Sequence, residues 1–228
     1  MQEQLPSAPG IHEVTLQPAN RRITLALPPD IGEHNPSPLV IALHYGGPNY
    51  PFKGGQMLRN LVEPALRPLH ALIAAPDCNH GDWANEQSEA EVLALLERLQ
   101  EAYTLDPART LLTGVSLGGI GAWLIGGRNQ DRFAAVLPLS AAPPAAAVAL
   151  DWQIPLLVIH SHQDEHFPPA QVKDAVARLR ARGAEVETLF LTGVIHYEVD
   201  RLRRPLASAV PWIEQVWARG RERAEKNS

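Results

Sequence analysis

Cysteine is almost missing from this chain: Cys78 stands alone among 228 residues. That excludes an internal disulfide framework and a cysteine-rich zinc site, and it is compatible with a reducing compartment. Long apolar runs are missing too, since no stretch approaches the roughly 20 residues that a membrane-spanning helix needs. The opening segment Met1 to Gly10 has neither the basic nor the apolar region of a secretory signal, so a cytoplasmic location and no membrane partner are expected. Positive charge is not in excess. The formal net charge is -5, which argues against nucleic acid as a partner, and the locally basic stretch from Arg219 to Lys226 reads as a solvated helix end. No repeat, low-complexity tract or linker divides the chain, so residues 1–228 are expected to form one domain.

Apolar residues are present in sufficient number, at 45%, for a substantial buried core. Between Ile11 and Leu27 apolar and polar residues alternate on either side of Pro18-Ala-Asn20, the pattern of a hairpin of exposed strands. Pro38 to Leu43 is short and continuously apolar, which suits a strand covered on both faces. Further strand-like runs occur at Ala71–Ala75, Thr110–Val115, Ala134–Leu139, Pro155–Ile159 and Thr188–Leu191. Segments of helical period separate most of them. The alternation implies an α/β architecture, a mostly parallel sheet preceded by antiparallel strands and covered by helices on both faces.

One helix is expected from Ser88, with Ser88 and Glu91 as a capping box and Val92, Leu95, Leu96, Leu99 and Tyr103 on one face. A second follows Pro168-Pro169 with Val172, Ala175, Val176 and Leu179 in register and Gly183 as its stop. The last runs from about Leu206 to Arg219, with Pro211 marking either a kink or a later start. Little sequence remains for a large lid.

Chemistry concentrates at Gly114-Val-Ser116-Leu-Gly118. The motif follows a strand-like run and leads into Gly119 to Ile125, which can be helical, and a G-x-S-x-G elbow requires this strand–turn–helix setting. There the serine is held in a strained backbone conformation with its hydroxyl clear of the sheet. The amide of Leu117 falls at a helix N-terminus, where an unpaired N–H and the helix dipole can stabilise an oxyanion.

Ser116 needs a base, and imidazole has the suitable proton affinity. An elbow of this kind takes its partners in the order nucleophile, acid, base. His196, in Gly193-Val-Ile-His196-Tyr197 just past a strand-like run, meets that order. Asp164 lies beyond the strand 155–159 on the loop His160-Ser-His-Gln and is the preferred acid, with Glu165 as an alternative. Asp151 precedes the strand and would sit at the wrong end of the sheet, while Asp200 follows the histidine. After Leu43, the loop His44-Tyr45-Gly46-Gly47-Pro48 is the expected source of a second oxyanion donor, the amide of Tyr45 or of Gly46. Trp83, Tyr45 and Tyr197 fall near loops expected at the active edge, where they either line a substrate pocket or act as core and rim aromatics.

With these motifs in place the sequence resembles the α/β-hydrolase superfamily, in the compact esterase and predicted-peptidase branch that includes phospholipase/carboxylesterase-like and feruloyl-esterase-like proteins. The resemblance covers most of the chain. Its strongest stretch runs from Ala75-Pro-Asp-Cys78 through Trp83 and Leu105-Asp-Pro-Ala-Arg109 to Gly114–Gly119, Trp123 and Arg132-Phe-Ala-Ala135. It implies an α/β-hydrolase fold without a large lid and cofactor-free hydrolysis of small carboxylic esters or related acyl compounds. Carried over, the nucleophile is Ser116, the acid Asp164, the base His196, and the oxyanion loop Tyr45-Gly46. The chain departs from the branch in having Tyr45 where many members have glycine, as in the Tyr-Gly-Gly-Pro of some prolyl-peptidase-like hydrolases, and in its abundance of histidine around Asp164.

That abundance supports a competing expectation. His160-x-His162-x-Asp164-x-His166 approximates the metal-binding pattern of metallo-β-lactamase-type hydrolases, and alternate residues of an extended chain share a face. Glu165 interrupts the pattern, and no further ligands are obvious. A serine peptidase, or an aminoacyl or thioester hydrolase on the same fold, is a further alternative. So is a hydrolase-fold binding protein without catalysis, because fold does not dictate function. Oligomeric state is not legible in the sequence.

Overall fold

Strands that must bury both faces read as unbroken apolar runs, and these runs build the centre of one eight-stranded sheet in the order β1-β2-β4-β3-β5-β6-β7-β8. The computed structural model describes residues 5–32 and 36–226. Residues 1–4 of the opening segment, and the side chains at 223–226 in the basic C-terminal stretch, lie outside the described residues. Strands β1 (Gly10–Leu16) and β2 (Arg21–Leu27) form the expected hairpin, and β2 runs antiparallel to β4 (Leu72–Pro76). All remaining pairings are parallel, through β3 (Ser37–Leu43), β5 (Leu105–Val115), β6 (Ala135–Leu139), β7 (Leu156–Ser161) and β8 (Val186–Leu191). Within the hairpin only β1 is an edge strand: β2 is buried from Ile23 to Leu27, because β4 and β1 flank it on either side.

Alternation along β3 divides the core into two layers. Leu39, Ile41 and Leu43 face helices α3 (Glu86–Ala102), α4 (Leu117–Arg128) and α6 (Pro169–Ala181). Val40 and Ala42 face the opposite layer. That layer holds α1 (Lys53–Met57), α2 (Glu63–Leu66) and, after short connections, α7 (Arg203–Ser208) and α8 (Val210–Lys226), while α5 (Ala145–Ala149) packs beside α4 in the first. This is the α/β-hydrolase fold, with no large lid among the described residues. Among those residues no helix is long and apolar enough to cross a membrane.

Three local expectations need correction. The cap of α3 is Asn85, whose side chain accepts the Ser88 amide at 2.8 Å, while the Ser88 hydroxyl donates to the Asp82 carbonyl. Tyr103 lies just past that helix in extended conformation. Strand β7 continues through His160 and Ser161, so His160 belongs to the sheet and not to the loop. The choice left at Pro211 falls to the later start: α7 ends at Ser208 and Pro211 occupies the first turn of α8, where its missing N–H costs nothing.

The topology fixes where a site can form. From β3 the chain crosses to β4 on one side, then returns past β3 to β5 on the other, so the connections after β3 and β5 leave toward opposite faces. Such a switch point opens a crevice at the carboxyl edge of the sheet. The pairings Leu43↔Gly114, Val115↔Leu139 and Ser161↔Leu191 bring the loops after β3, β5, β7 and β8 to that same edge.

Candidate active site

Ser116 sits between β5 and α4 at φ 55°, ψ −115°, a conformation that L-residues avoid. Two glycines make the turn possible. A Cβ at Gly114 would overlap the carbonyl of Gly118, and one at Gly118 would overlap the carbonyl of Leu43. The Ser116 amide donates to the Leu139 carbonyl at 2.9 Å, pinning the elbow to β6. The hydroxyl is thereby presented to the histidine loop, and Ser116 Oγ lies 2.8 Å from His196 Nε2.

His196 and Asp164 come from the loops after β8 and β7, which are laced together. Ser161 Oγ donates to the Val194 carbonyl at 2.5 Å, the Gly193 amide donates to Gln163 Oε1 at 2.7 Å, and the His196 amide donates to Glu165 Oε2 at 2.9 Å. His196 Nδ1 lies 3.0 Å from Asp164 Oδ2. Facing a carboxylate, Nδ1 carries the proton and donates, which leaves the Nε2 lone pair for the serine hydroxyl. Asp164 Oδ1 is occupied by the amides of His166 and Phe167 at 2.9 and 2.8 Å. Burial pushes the Asp164 carboxyl up, but the hydrogen bonds from His196, Phe167 and His166 outweigh it and hold the group below the usual carboxylate range. The structure therefore brings Ser116, His196 and Asp164 together. Glu165 does not reach the imidazole; it holds the backbone of His196.

Around His196 the rings of His166 (stacked, 4.9 Å between centroids), Phe167 and Tyr197 form an aromatic surround. Tyr197 is 71% exposed and stands at the rim. Trp83 does not belong there: it is 2% exposed, and its indole N–H donates to the His44 carbonyl at 2.8 Å. It supports the loop after β3 from beneath and lines no open pocket, because Gly121 of α4 and the His44 ring enclose it.

Within the loop after β3, Gly46 packs beside Leu117, 3.7 Å separating the leucine Cδ2 from the place a Gly46 Cβ would take. Leu117 begins α4, and the first amides of a helix have no partner within it. The Gly46 backbone thus lies against the side chain of Leu117, the residue that follows Ser116. His44 accepts the Cys78 amide at Nε2 (3.0 Å), so its Nδ1 carries the proton and donates to the Tyr45 carbonyl at 2.7 Å. Burial keeps His44 below the ordinary histidine range, consistent with a neutral ring. Lys53 was not singled out by the sequence, yet it is 2% exposed and its ammonium donates to the Gly46 and Gly47 carbonyls at 2.8 and 2.9 Å. A lone lysine beside two glycines carries no sequence signal of burial.

The histidine-rich segment is dispersed. His160 is buried in β7 with Nε2 against the Phe167 carbonyl, His162 stacks on Phe190, and His166 stacks on His196. Among the described residues no three histidine, cysteine, aspartate or glutamate side chains are grouped so as to hold a metal ion.

Residues 78–212 match the family model described as the dienelactone hydrolase family, more than half of the chain. The chain belongs to the dienelactone hydrolase family. Relatives at the sequence level include a probable feruloyl esterase C of Aspergillus niger, 26% identical over 172 residues that make up 71% of this chain and 60% of the relative. Feruloyl esterase C of Emericella nidulans is 24% identical over 170 residues, 70% of this chain and 59% of that protein. The chain thus spans about three fifths of the length of these curated relatives. Solved structures similar to this family member include the Staphylococcus aureus fluorophosphonate-binding serine hydrolase F, with TM-score 0.72, 15% identity, and coverage of 90% of this chain and 99% of that one. A thermostable esterase follows the chain with TM-score 0.64 and 22% identity over 90% of this chain and 59% of its own. At such identities the structural likeness speaks for the fold alone.

Proposed function

We propose that the protein is a serine hydrolase of small carboxylic esters, acting through an acyl-enzyme on Ser116. The observation that carries this reading is the continuous hydrogen-bonded line from Ser116 Oγ to His196 (2.8 Å) to Asp164 (3.0 Å) at the carboxyl edge of the sheet. The Ser116 oxygen attacks the ester carbonyl as Nε2 of His196 takes its proton. The oxyanion is met by the amides of Leu117 and of Tyr45 or Gly46. The imidazolium, stabilised by Asp164, protonates the departing alcohol and then activates a water that releases the acid and restores the serine. No cofactor takes part, residues 1–228 act as one catalytic domain, and the partner is a small-molecule ester. The relatives named as feruloyl esterases, with the ring surround of His166, Phe167 and Tyr197, make aromatic acyl esters the first class to try.

The test pairs fluorophosphonate labelling with hydrolysis of a panel of p-nitrophenyl esters, methyl ferulate, a phenyl thioester and an aminoacyl amide. Wild type labels and cleaves esters, and Ser116→Ala and His196→Ala lose about 10⁴-fold or more in kcat while staying folded. A folded wild type that neither labels nor hydrolyses any member of the panel overturns the reading in favour of a binding scaffold.

A further inference from the structure

The geometry points to His166 as a positioning residue that holds the imidazole of His196 from one face, an assignment that rests on the serine-hydrolase reading above. Four consecutive residues of the loop after β7 grip the catalytic histidine. Asp164 takes its Nδ1–H and Glu165 its backbone amide. The ring of His166 stacks on it, with 4.9 Å between centroids and 26° between planes, and Phe167 lies tilted at 5.4 Å. The sequence builds this grip locally. Because Asp164 Oδ1 accepts the amides of both His166 and Phe167, the chain curls around its own carboxylate and carries those two rings back over the imidazole. The bonds that His196 makes with Ser116 and Asp164 lie in the plane of the imidazole. A swing of the ring about χ2 would carry both nitrogens out of line, and a ring lying against one face obstructs it. Tyr197 meets the imidazole edge-on, at 89°, and leaves the stacking role to His166.

The stack also bears on the charge that His196 acquires. In both stages of acyl transfer the imidazole becomes an imidazolium. A neutral aromatic face beside it attracts that cation, whereas a charged group in the same place opposes it. The other titratable groups facing His196 are the Asp164 and Glu165 carboxylates, His160 from β7 and the phenol of Tyr197. None of these covers a face of the ring. His166 is exposed while His196 is 6% exposed, so a side chain changed at position 166 alters the cover of the imidazole without opening the core. The bond from the His166 amide to Asp164 belongs to the backbone and survives the change.

The test compares wild type with His166→Ala, His166→Phe and His166→Arg in p-nitrophenyl acetate hydrolysis across a range of pH. In His166→Ala the stack is gone, and kcat is expected to fall about 3- to 10-fold, the scale set by one aromatic pair. KM stays within about twofold, because the small acetyl ester does not depend on the lost ring. His166→Phe restores an uncharged ring and recovers most of the loss. His166→Arg keeps a planar group that can stack but makes the charge permanent, so the acid midpoint of kcat/KM falls by about half a unit to one unit relative to His166→Phe. A role in stability alone would leave that midpoint in place. If wild type is active and a folded His166→Ala keeps its kcat, or His166→Phe is as slow as His166→Ala, the ring does not position the imidazole and the inference fails. Equal midpoints for His166→Phe and His166→Arg overturn it as well. If wild type itself has no esterase activity, the failure belongs to the parent reading.

Discussion

Asp164→Asn separates the two adjacent carboxylates by mechanism. The Asp164 side chain is fully buried, with one oxygen on two backbone amides and the other on His196 Nδ1. Asparagine can keep its carbonyl oxygen on the amides, but then its NH2 faces Nδ1, which must give up its proton and accept. The proton moves to Nε2, and the nitrogen facing Ser116 becomes a donor unable to take the serine proton. Loss of the correct tautomer costs about 10⁴ in kcat in serine hydrolases of this design, or about 5.4 kcal/mol of barrier at about 1.36 kcal/mol per decade. Glu165→Gln is predicted to cost less than about tenfold, because its oxygen still accepts the His196 amide and the imidazole is untouched. Initial rates on p-nitrophenyl acetate for the three proteins decide the matter. Stability gives a second readout. The folded Asp164 carboxyl is depressed, so it stabilises the fold at pH above its unfolded value of about 3.9 and loses that contribution as pH falls through the folded value. The stability gap between wild type and Asp164→Asn, on the order of 1.5–3 kcal/mol at neutral pH for a buried charge-assisted hydrogen bond, should therefore narrow on acidification. Asp164→Asn within tenfold of wild type, or Glu165→Gln as damaging as Asp164→Asn, would refute the assignment.

Gly118→Ala drives a methyl into the Leu43 carbonyl and should lower stability by about 1–3 kcal/mol or more in urea unfolding, with activity falling as the elbow shifts; wild-type stability would show that the elbow does not press on β3. Trp83→Phe leaves the buried His44 carbonyl without its donor, at a cost of about 1–3 kcal/mol, and should lower kcat more than it raises KM; an unchanged kcat would separate the tryptophan from the loop. Tyr197→Ala, at an exposed rim site, should shift stability by under about 0.5 kcal/mol yet raise KM for aryl esters severalfold; equal KM across the ester panel removes Tyr197 from substrate contact. Chelation should leave esterase activity unchanged, and loss of activity restored by a divalent ion would revive the metal reading of the histidine-rich segment.

The strands were legible because burial on both faces leaves a local mark: Ser37–Leu43 and Leu72–Pro76 are nearly unbroken apolar runs. The helices between β3 and β4 were not. Residues 53–69 have Gly54 and Gly55 in their first turn and contain Pro64 and Pro68, which speak locally against a helix. They are helical because Met57, Leu58, Leu61, Val62 and Leu66 pack onto the sheet and Asp77 fixes the first turn, both of them tertiary effects. At α3 the sequence pattern pointed to Ser88 as the cap, three positions too late. Asn85 took the role because the Ser88 hydroxyl is bonded to the Asp82 carbonyl.

At the site, a residue's position along the chain was readable and its depth was not. Ser116, Asp164 and His196 could be placed because each follows a strand and the sheet carries every such loop to one edge. Trp83 also lies near that edge along the chain, yet its ring points inward, and Lys53 is buried although its type and neighbours read as surface. Depth is decided by register. Leu43 opposite Gly114 sets His44 and Gly46 beside Ser116 and Leu117, and a slip of one residue in a strand with period-two side chains would turn Leu39, Ile41 and Leu43 to the wrong layer. The same pairing presses Gly118 against the Leu43 carbonyl, so the contact that closes the core also holds the elbow in its strained conformation. Core packing and nucleophile geometry are then one constraint, and substitutions that loosen β3 against β5 should lower activity before they unfold the protein.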